Sequence, residues 1–530
     1  MRPLKKEELT IEQKLGMTLC AAVFHGEADD EYVLGKIRER KCGAVWVNPG
    51  KGKEFIDRFI EAADYPLVII CDAENGAIGG QIPQQIAMTA AGARDEDAYA
   101  FGYATAARLR RLGYTACCNP VVDICKENTP CGHTTRTYGG DVETVTRLSK
   151  AVARGMHDAG ILAVAKHYPG GSVGLPYDTH MREDLSPLTA EELKAEHLRP
   201  YIELAREGLI DGVMAGHRRF PAIDDKYPAC LSRPTLNLLR EEGFRGFYIS
   251  DALCMMGIVL KYGYEEPSAM AVAAGCDLPL PWEITYERAY EGMLDCYRRG
   301  IVTEAQVDEC LDRILATQEK IARLPEPPAE TPAEYTARCD AIFKRSIAAV
   351  CGEGVSPSIS RDGRHLFILA TDGSTALKEG EYLPGPGEWF RPPEIADMIR
   401  ELFPNSEVSA MPQYPSVQDT MRHFSLQTKF DDVVFINYGV TSAYIGPEHM
   451  TSRLVAFMDA LQSTDRIAAH VFFGNPFVTE DAPYVPRLIV GYSSRRSVEP
   501  ALRILAGLDE PEGRVPYELN LHKKGDIIYR

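Results

Sequence analysis

The chain has 530 residues and a formal charge of −18, with 45% hydrophobic and 25% charged residues. That balance excludes a disordered or collagen-like chain, and the length exceeds one ordinary core, so two or three domains are expected. The acidic excess is spread over the whole chain with no basic stripe, which argues against nucleic acid and against an anionic membrane surface as partners.

Near the start, Glu7, Glu8 and Glu12 interrupt the region where a signal peptide needs an unbroken apolar core. No stretch reaches the roughly 18 apolar residues of a membrane span. The 14 cysteines all lie at or before Cys351, and none sits in a Cys-x-x-Cys pair. Buried free thiols, and hence a cytoplasmic location, are expected.

Over the first 320 residues, short apolar runs alternate with segments of helical periodicity. The runs are 17–24, 44–48 (AVWVN), 67–72 (LVIICD), 115–123 (TACCNPVVD), 161–167 (ILAVAKH), 212–217 (GVMAGH), 246–251 (GFYISD) and 274–279 (AGCDLP). They are apolar almost throughout, as strands covered on both faces are. Several end in Asp72, Asp123, His167, His217, Asp251 or Asp277. Eight such runs separated by helices predict a (β/α)8 TIM-like barrel, whose chemistry sits at the C-terminal ends of the strands. A doubly wound sheet is the competing layout, but no Gly-x-Gly-x-x-Gly follows an early run.

Between the runs, 54–64 has an apolar face of Phe55, Ile56, Phe59, Ile60 and Ala63. The segment 302–320 opens with Thr303 and Gln306 at capping-box spacing, then presents Val307, Leu311, Ile314 and Leu315 on one side. The proline- and glutamate-rich LPEPPAETPAE that follows reads as a linker. The domain boundaries expected are 1–324 for the barrel, 325–345 for a linker and connecting helix, and 346–530 for a smaller α/β sandwich domain. In that last part HLFILA, DDVVFINYG, AAHVFFGNPF and RLIVGYS read as strands, 454–461 as a helix, and 384–394 and 412–418 as loops.

Chemistry-bearing residues concentrate in 166–180, KHYPGGSVGLPYDTH. Lys166 and His167 end an apolar run, and the glycines and prolines after them put Asp178 and His180 in a loop over the barrel mouth. An i,i+2 pair in extended chain points to one side, so Asp178 can accept from one imidazole nitrogen while the other faces a ligand. The pair reads equally as a general acid/base dyad or as a tie within a surface loop. Asp251 emerges where a fully apolar run stops, which suits a nucleophile, a metal ligand or a cap on the next helix. Asp72 has the same strand-end setting. Gly170-Gly-Ser-Val-Gly174 matches the nucleophile-elbow expression, but Pro169 precedes it and Leu175-Pro176 follow, where the elbow needs a strand and a helix. The 12 histidines form no metal-binding set, and His133 beside Cys131 reads as a turn or pocket position, so neither metal nor cofactor is expected.

Taken in order, LTIEQKLGM (9–17), PLVIICDAENG (66–76), NPVVDI (119–124), TPCGHTTRTYGGD (129–141), KHYPG (166–170), DTH (178–180), DGVMAGH (211–217), FYISDALCMMGI (247–258) and AAGCDLPL (273–280) resemble glycoside hydrolase family 3, in particular its β-N-acetylglucosaminidase branch. GNPF (474–477) and GRVPYEL (513–519) are similar to motifs of the family's C-terminal domain. The resemblance implies a retaining, exo-acting glycosidase with Asp251 as nucleophile, His180 as acid/base and Asp178 as its orienting carboxylate. It further implies that Asp72, Arg136, Lys166, His167 and His217 line the sugar site. The implied substrate is a β-linked amino sugar or oligosaccharide, such as a cell-wall fragment. Alternatives are a β-N-acetylglucosaminide phosphorylase using inorganic phosphate, a β-glycosidase of other sugar specificity, and a sugar-binding barrel without catalysis. The chain departs from the branch at Gly171, where a histidine is usual, and at Ala77 and Gly80, where arginines are usual. Those departures leave sugar and aglycone open, and oligomeric state is not legible.

Overall fold

The computed structural model describes residues 1–74, 83–129, 133–173, 177–382, 389–439, 443, 444, 446, 448–526 and 528. They fall into two compact units. The first comprises Met1–Ile82, Arg94–Cys125 and Asp141–Arg338, and the second Pro83–Ala93, Lys126–Gly140 and Cys339–Arg530.

The first unit is a near-closed parallel barrel of β1 (Cys20–Ala22), β2 (Ala44–Trp46), β3 (Val68–Asp72), β4 (Ala116–Cys118), β5 (Leu162–Tyr168), β6 (Gly212–Ala215), β7 (Phe247–Ala252) and β8 (Leu278–Leu280), in that order around the sheet. Each strand is buried along nearly its whole length, which is why the runs carry so little polar alternation. The surrounding helices cover the outer face. Lys53–Ala62 buries Ile56 and Phe59, and Glu304–Ile321 buries Val307, Leu311 and Ile314. The Thr303 N–H donates to Gln306 Oε1 at 2.9 Å, the capping arrangement expected from the spacing. The helices Asp95–Leu112 and Val142–Asp158 cross at two glycines. A Cβ on Gly102 would lie 2.1 Å from Val152 O, and one on Gly155 would lie 2.2 Å from Tyr99 O, so neither position admits a side chain.

One run is displaced from its expected register. Residues 274–277 precede β8, because Gly275 closes the helix Pro267–Ala274 in the left-handed region at φ +98°. Asp277 therefore stands at the start of its strand, away from the ends that carry chemistry. It is fully buried, accepting from the Tyr248 N–H at 2.6 Å and pairing with Arg313 at 2.7 Å and Arg240 at 3.2 Å. Its role is to hold strands and an outer helix together.

The second unit has a six-stranded sheet in the order β11 (Glu407–Pro412), β10 (His365–Thr371), β12 (Asp432–Tyr438), β13 (Ile467–Phe473), β14 (Arg487–Gly491) and β9 (Ala348–Cys351). All neighbours are parallel except β14 and β9. Alternate residues feed two apolar cores. Phe367, Leu369, Val434 and Ile436 pack with the helices Pro392–Leu402 and Arg495–Leu505, while Leu366, Ile368 and Phe435 pack with Ser452–Gln462. The excursions 83–93 and 126–140 join this unit through polar contacts. Asn128 Nδ2 donates to Glu448 O at 2.9 Å, Tyr517 donates to Thr134 O at 2.5 Å, and Gln84 Oε1 accepts from the Ser493 N–H at 3.0 Å. Both edge strands escape the sequence reading: β9 has four residues, and β11 ends on Pro412, a residue tolerated only at an edge. Among the described residues no helix is long and apolar enough to cross a membrane.

Candidate active site

Apart from Asp277, the residues singled out from strand ends gather at the C-terminal end of the barrel strands. Asp72 is the last residue of β3, and Lys166 and His167 lie at the end of β5. The Lys166 ammonium, on a residue only 2% exposed, lies 2.5 Å from Asp72 Oδ1 and 2.5 Å from Glu74 Oε1. An ammonium between two carboxylates fixes the direction in which Asp72 presents its oxygens. The other Asp72 oxygen accepts from the Trp46 indole N–H at 3.1 Å. His167 donates from Nδ1 to Asp123 Oδ2 at 2.7 Å, and its backbone N–H reaches the same oxygen at 3.1 Å. One carboxylate thus sets both the tautomer and the ring plane.

The dyad loop has the local geometry expected of it. Asp178 Oδ1 accepts from the His180 N–H and from Nδ1, each at 2.9 Å, with the carboxylate buried and the imidazole partly exposed. Two anchors hold the loop. Arg218, just past β6, binds Asp184 at 2.5 Å and Gly170 O at 2.9 Å. On the other side, the Met256 N–H donates to His180 O at 3.1 Å and the Gly257 N–H to Thr179 O at 3.0 Å. Gly257 makes this approach possible, since a Cβ there would stand 2.9 Å from Thr179 O and 3.0 Å from Arg182 O. Met256 opens the helix that follows β7, so the loop is docked directly onto the segment downstream of Asp251.

Asp251 is the penultimate residue of β7, and it caps no helix: its Oδ1 accepts from the Ala252 N–H at 2.8 Å, and the next helix is Met256–Tyr262. Burial pushes its carboxyl up, but the field of His217, His167 and His180, with the Ala252 N–H, outweighs burial and holds it at about 2. It is therefore an anion at neutral pH. His217 is buried beside it, donating from Nε2 to Ala252 O at 2.8 Å and accepting at Nδ1 from the Cys230 thiol at 3.2 Å. Burial lowers its pKa against the pull of Asp251, and the ring buttresses the backbone next to Asp251.

Of the other residues named from sequence, Arg136 ends the short helix His133–Arg136, in a segment that groups with the second unit. Ala77, Gly80 and Cys131 lie outside the described residues. At Gly171 the departure has a local cause. Its φ is +78°, and a Cβ would meet the Phe220 ring at 2.8 Å and Leu193 at 3.2 Å, so this turn has no room for a histidine. Sequence reasoning missed Glu74, Asp123, Trp46, Arg218 and Asp184. Asp123 had a signal, as the polar end of an apolar run, but its partner His167 is 44 residues on and only the barrel brings them together.

The model of the glycosyl hydrolase family 3 N-terminal domain matches residues 53–317. A β-hexosaminidase of Tolumonas auensis is 34% identical over 230 residues, covering 42% of this chain and 67% of that protein. The solved structure of a glycoside hydrolase family 3 β-N-acetylglucosaminidase from Paenibacillus sp. str. FPU-7 aligns with a TM-score of 0.79 at 25% identity, covering 97% of this chain and 99% of that one. A β-glucoside phosphorylase aligns with a TM-score of 0.81 at 22% identity over 97% of both chains, a likeness of fold. The hexosaminidase and the N-acetylglucosaminidase are both, by name, enzymes that act on β-linked sugars. The chain belongs to glycosyl hydrolase family 3.

Proposed function

We propose that the protein is a retaining, exo-acting β-N-acetylglucosaminidase working by double displacement. The observation that carries this reading is the docking of the Asp178–His180 loop onto the start of the helix downstream of Asp251. It brings an imidazole held by a buried carboxylate to the same mouth as a carboxylate that is ionised at all but very low pH.

In the first step Asp251 attacks the anomeric carbon, the glycosidic C–O bond breaks, and protonated His180 gives its proton to the departing oxygen. In the second, neutral His180 takes a proton from water, whose oxygen displaces Asp251 and restores the β-configuration. Asp178 accepts from Nδ1 throughout and stabilises the imidazolium form. Asp72, Lys166 and His167 offer hydrogen bonds to sugar hydroxyls, with His217 beside them, as the family resemblance implies. Residues 1–324 hold the chemistry in this reading. Among the described residues all cysteines are free thiols, which suits a reducing, cytoplasmic setting.

Phosphate is the second acceptor worth testing, because an imidazole that has given up its proton is neutral, whereas a carboxylate in that role would repel an anionic acceptor. The experiment uses an aryl β-N-acetylglucosaminide with and without millimolar phosphate, with products followed by proton NMR at early times. Free β-anomer as the first product in both arms is expected. Predominant sugar 1-phosphate would reassign the acceptor, and initial α-anomer would exclude double displacement.

A further inference from the structure

Asp72 on β3, Lys166 and His167 on β5 and Asp251 on β7 occupy one arc of the mouth. The remaining arc, β8–β1–β2, carries aromatic rings. Trp46 ends β2, Phe24 follows β1, and Trp282 follows β8. Trp46 and Trp282 meet edge to face with centroids 4.3 Å apart, and Phe24 lies 5.1 Å from Trp282. The wall is joined to the polar arc at one point, the 3.1 Å bond from the Trp46 indole N–H to Asp72.

Two features of these rings are not those of a core. Phe24 is 39% exposed and Trp282 partly so. Trp282 also has φ +60°, a left-handed conformation that bulky residues rarely adopt, and His25 holds it there by donating from Nε2 to the Trp282 carbonyl at 2.8 Å. Backbone strain on a partly exposed indole is maintained where the ring's position matters more than its burial.

A pyranose chair has a hydroxylated rim and apolar C–H faces. A mouth that meets the rim with Asp72 and Lys166 needs an aromatic ring for a face, and the partly exposed Trp282 indole, set against Trp46 and Phe24, supplies one next to those groups. We infer that Phe24, Trp46 and Trp282 form a stacking subsite for the C–H face of the bound pyranose, with Trp282 as its principal contact. This rests on the barrel mouth being a sugar site, as in the function proposed above.

The protein has three tryptophans, and the third, Trp389, lies in the second unit. In a Trp389→Phe background the emission comes from Trp46 and Trp282 alone, so titration with N-acetylglucosamine or glucose reads the wall without requiring turnover. A saturable emission change is expected with either pyranose and none with sorbitol, an acyclic polyol. Trp282→Ala should raise KM for an aryl β-N-acetylglucosaminide about tenfold. Trp282→Phe should recover most of that loss, and Phe24→Ala, at an already exposed site, should raise KM severalfold. Sugar-dependent emission without turnover of any β-glycoside would keep the stacking subsite and overturn the catalytic reading. Turnover with no emission change, and with KM within twofold of wild type in both alanine variants, would overturn the stacking subsite and leave the catalytic reading standing.

Discussion

At the scale of single residues, the candidate site gives two carboxylates and an imidazole different surroundings. Asp251 is surrounded by histidines and a backbone N–H, and its carboxyl is held at about 2 in spite of burial. A carboxyl whose pKa is depressed stays ionised until the pH falls through that low value. With a 2-fluoro sugar bearing a dinitrophenyl leaving group, which needs no proton, labelling should therefore stay constant from about pH 7 to about pH 4 while circular dichroism shows the fold intact. A loss of labelling centred at about pH 4 to 5 would mean that the carboxyl has an ordinary pKa. In the proposed mechanism Asp178 acts differently, through His180. Asp178→Asn should slow substrates with poor leaving groups by about 100-fold or more and activated aryl glycosides much less, because only the former need the acid. Equal losses on both would remove the acid-assistance role.

At the scale of elements, the strand-end rule made most of the site legible. Asp72, Lys166, His167, His217 and Asp251 stand at or just past the C-terminal ends of strands whose apolar runs are plain in the sequence. Asp277 looked alike but belongs to the opposite end, because Gly275 lengthens the turn before β8. What sequence could not provide was the support. Arg218, Asp184 and Gly257 look ordinary in one dimension, yet they fix where the dyad loop lies. Arg218→Ala would leave the buried Asp184 charge without its guanidinium, at a cost of about 3–5 kcal/mol read as a lowered midpoint in urea. Gly257→Ala tests positioning alone. The added methyl would press on two backbone oxygens, so kcat should fall by about 10- to 100-fold while the urea midpoint changes little. Unaltered kcat would show that the loop's seat does not position His180.

At the scale of the whole molecule, the order of eight buried runs was enough to name the barrel, since each strand is covered on both faces and leaves no polar alternation to confuse its period. The second unit was less legible. Its central strands β10, β12, β13 and β14 follow the same logic, whereas the edge strands β9 and β11 are short or proline-ended and do not stand out as apolar runs. The assignment of segments 83–93 and 126–140 to this unit is a tertiary fact with no sequence signal. The account of the molecule as a catalyst depends on Asp251 forming a covalent bond to sugar. The most direct measurement is peptide mass spectrometry after incubation with a 2-fluoro β-glycoside. The expected result is one equivalent of fluorosugar on the peptide containing Asp251, absent in Asp251→Asn. Label on another residue, or turnover of a β-glycoside that releases the α-anomer first with no label anywhere, would contradict it.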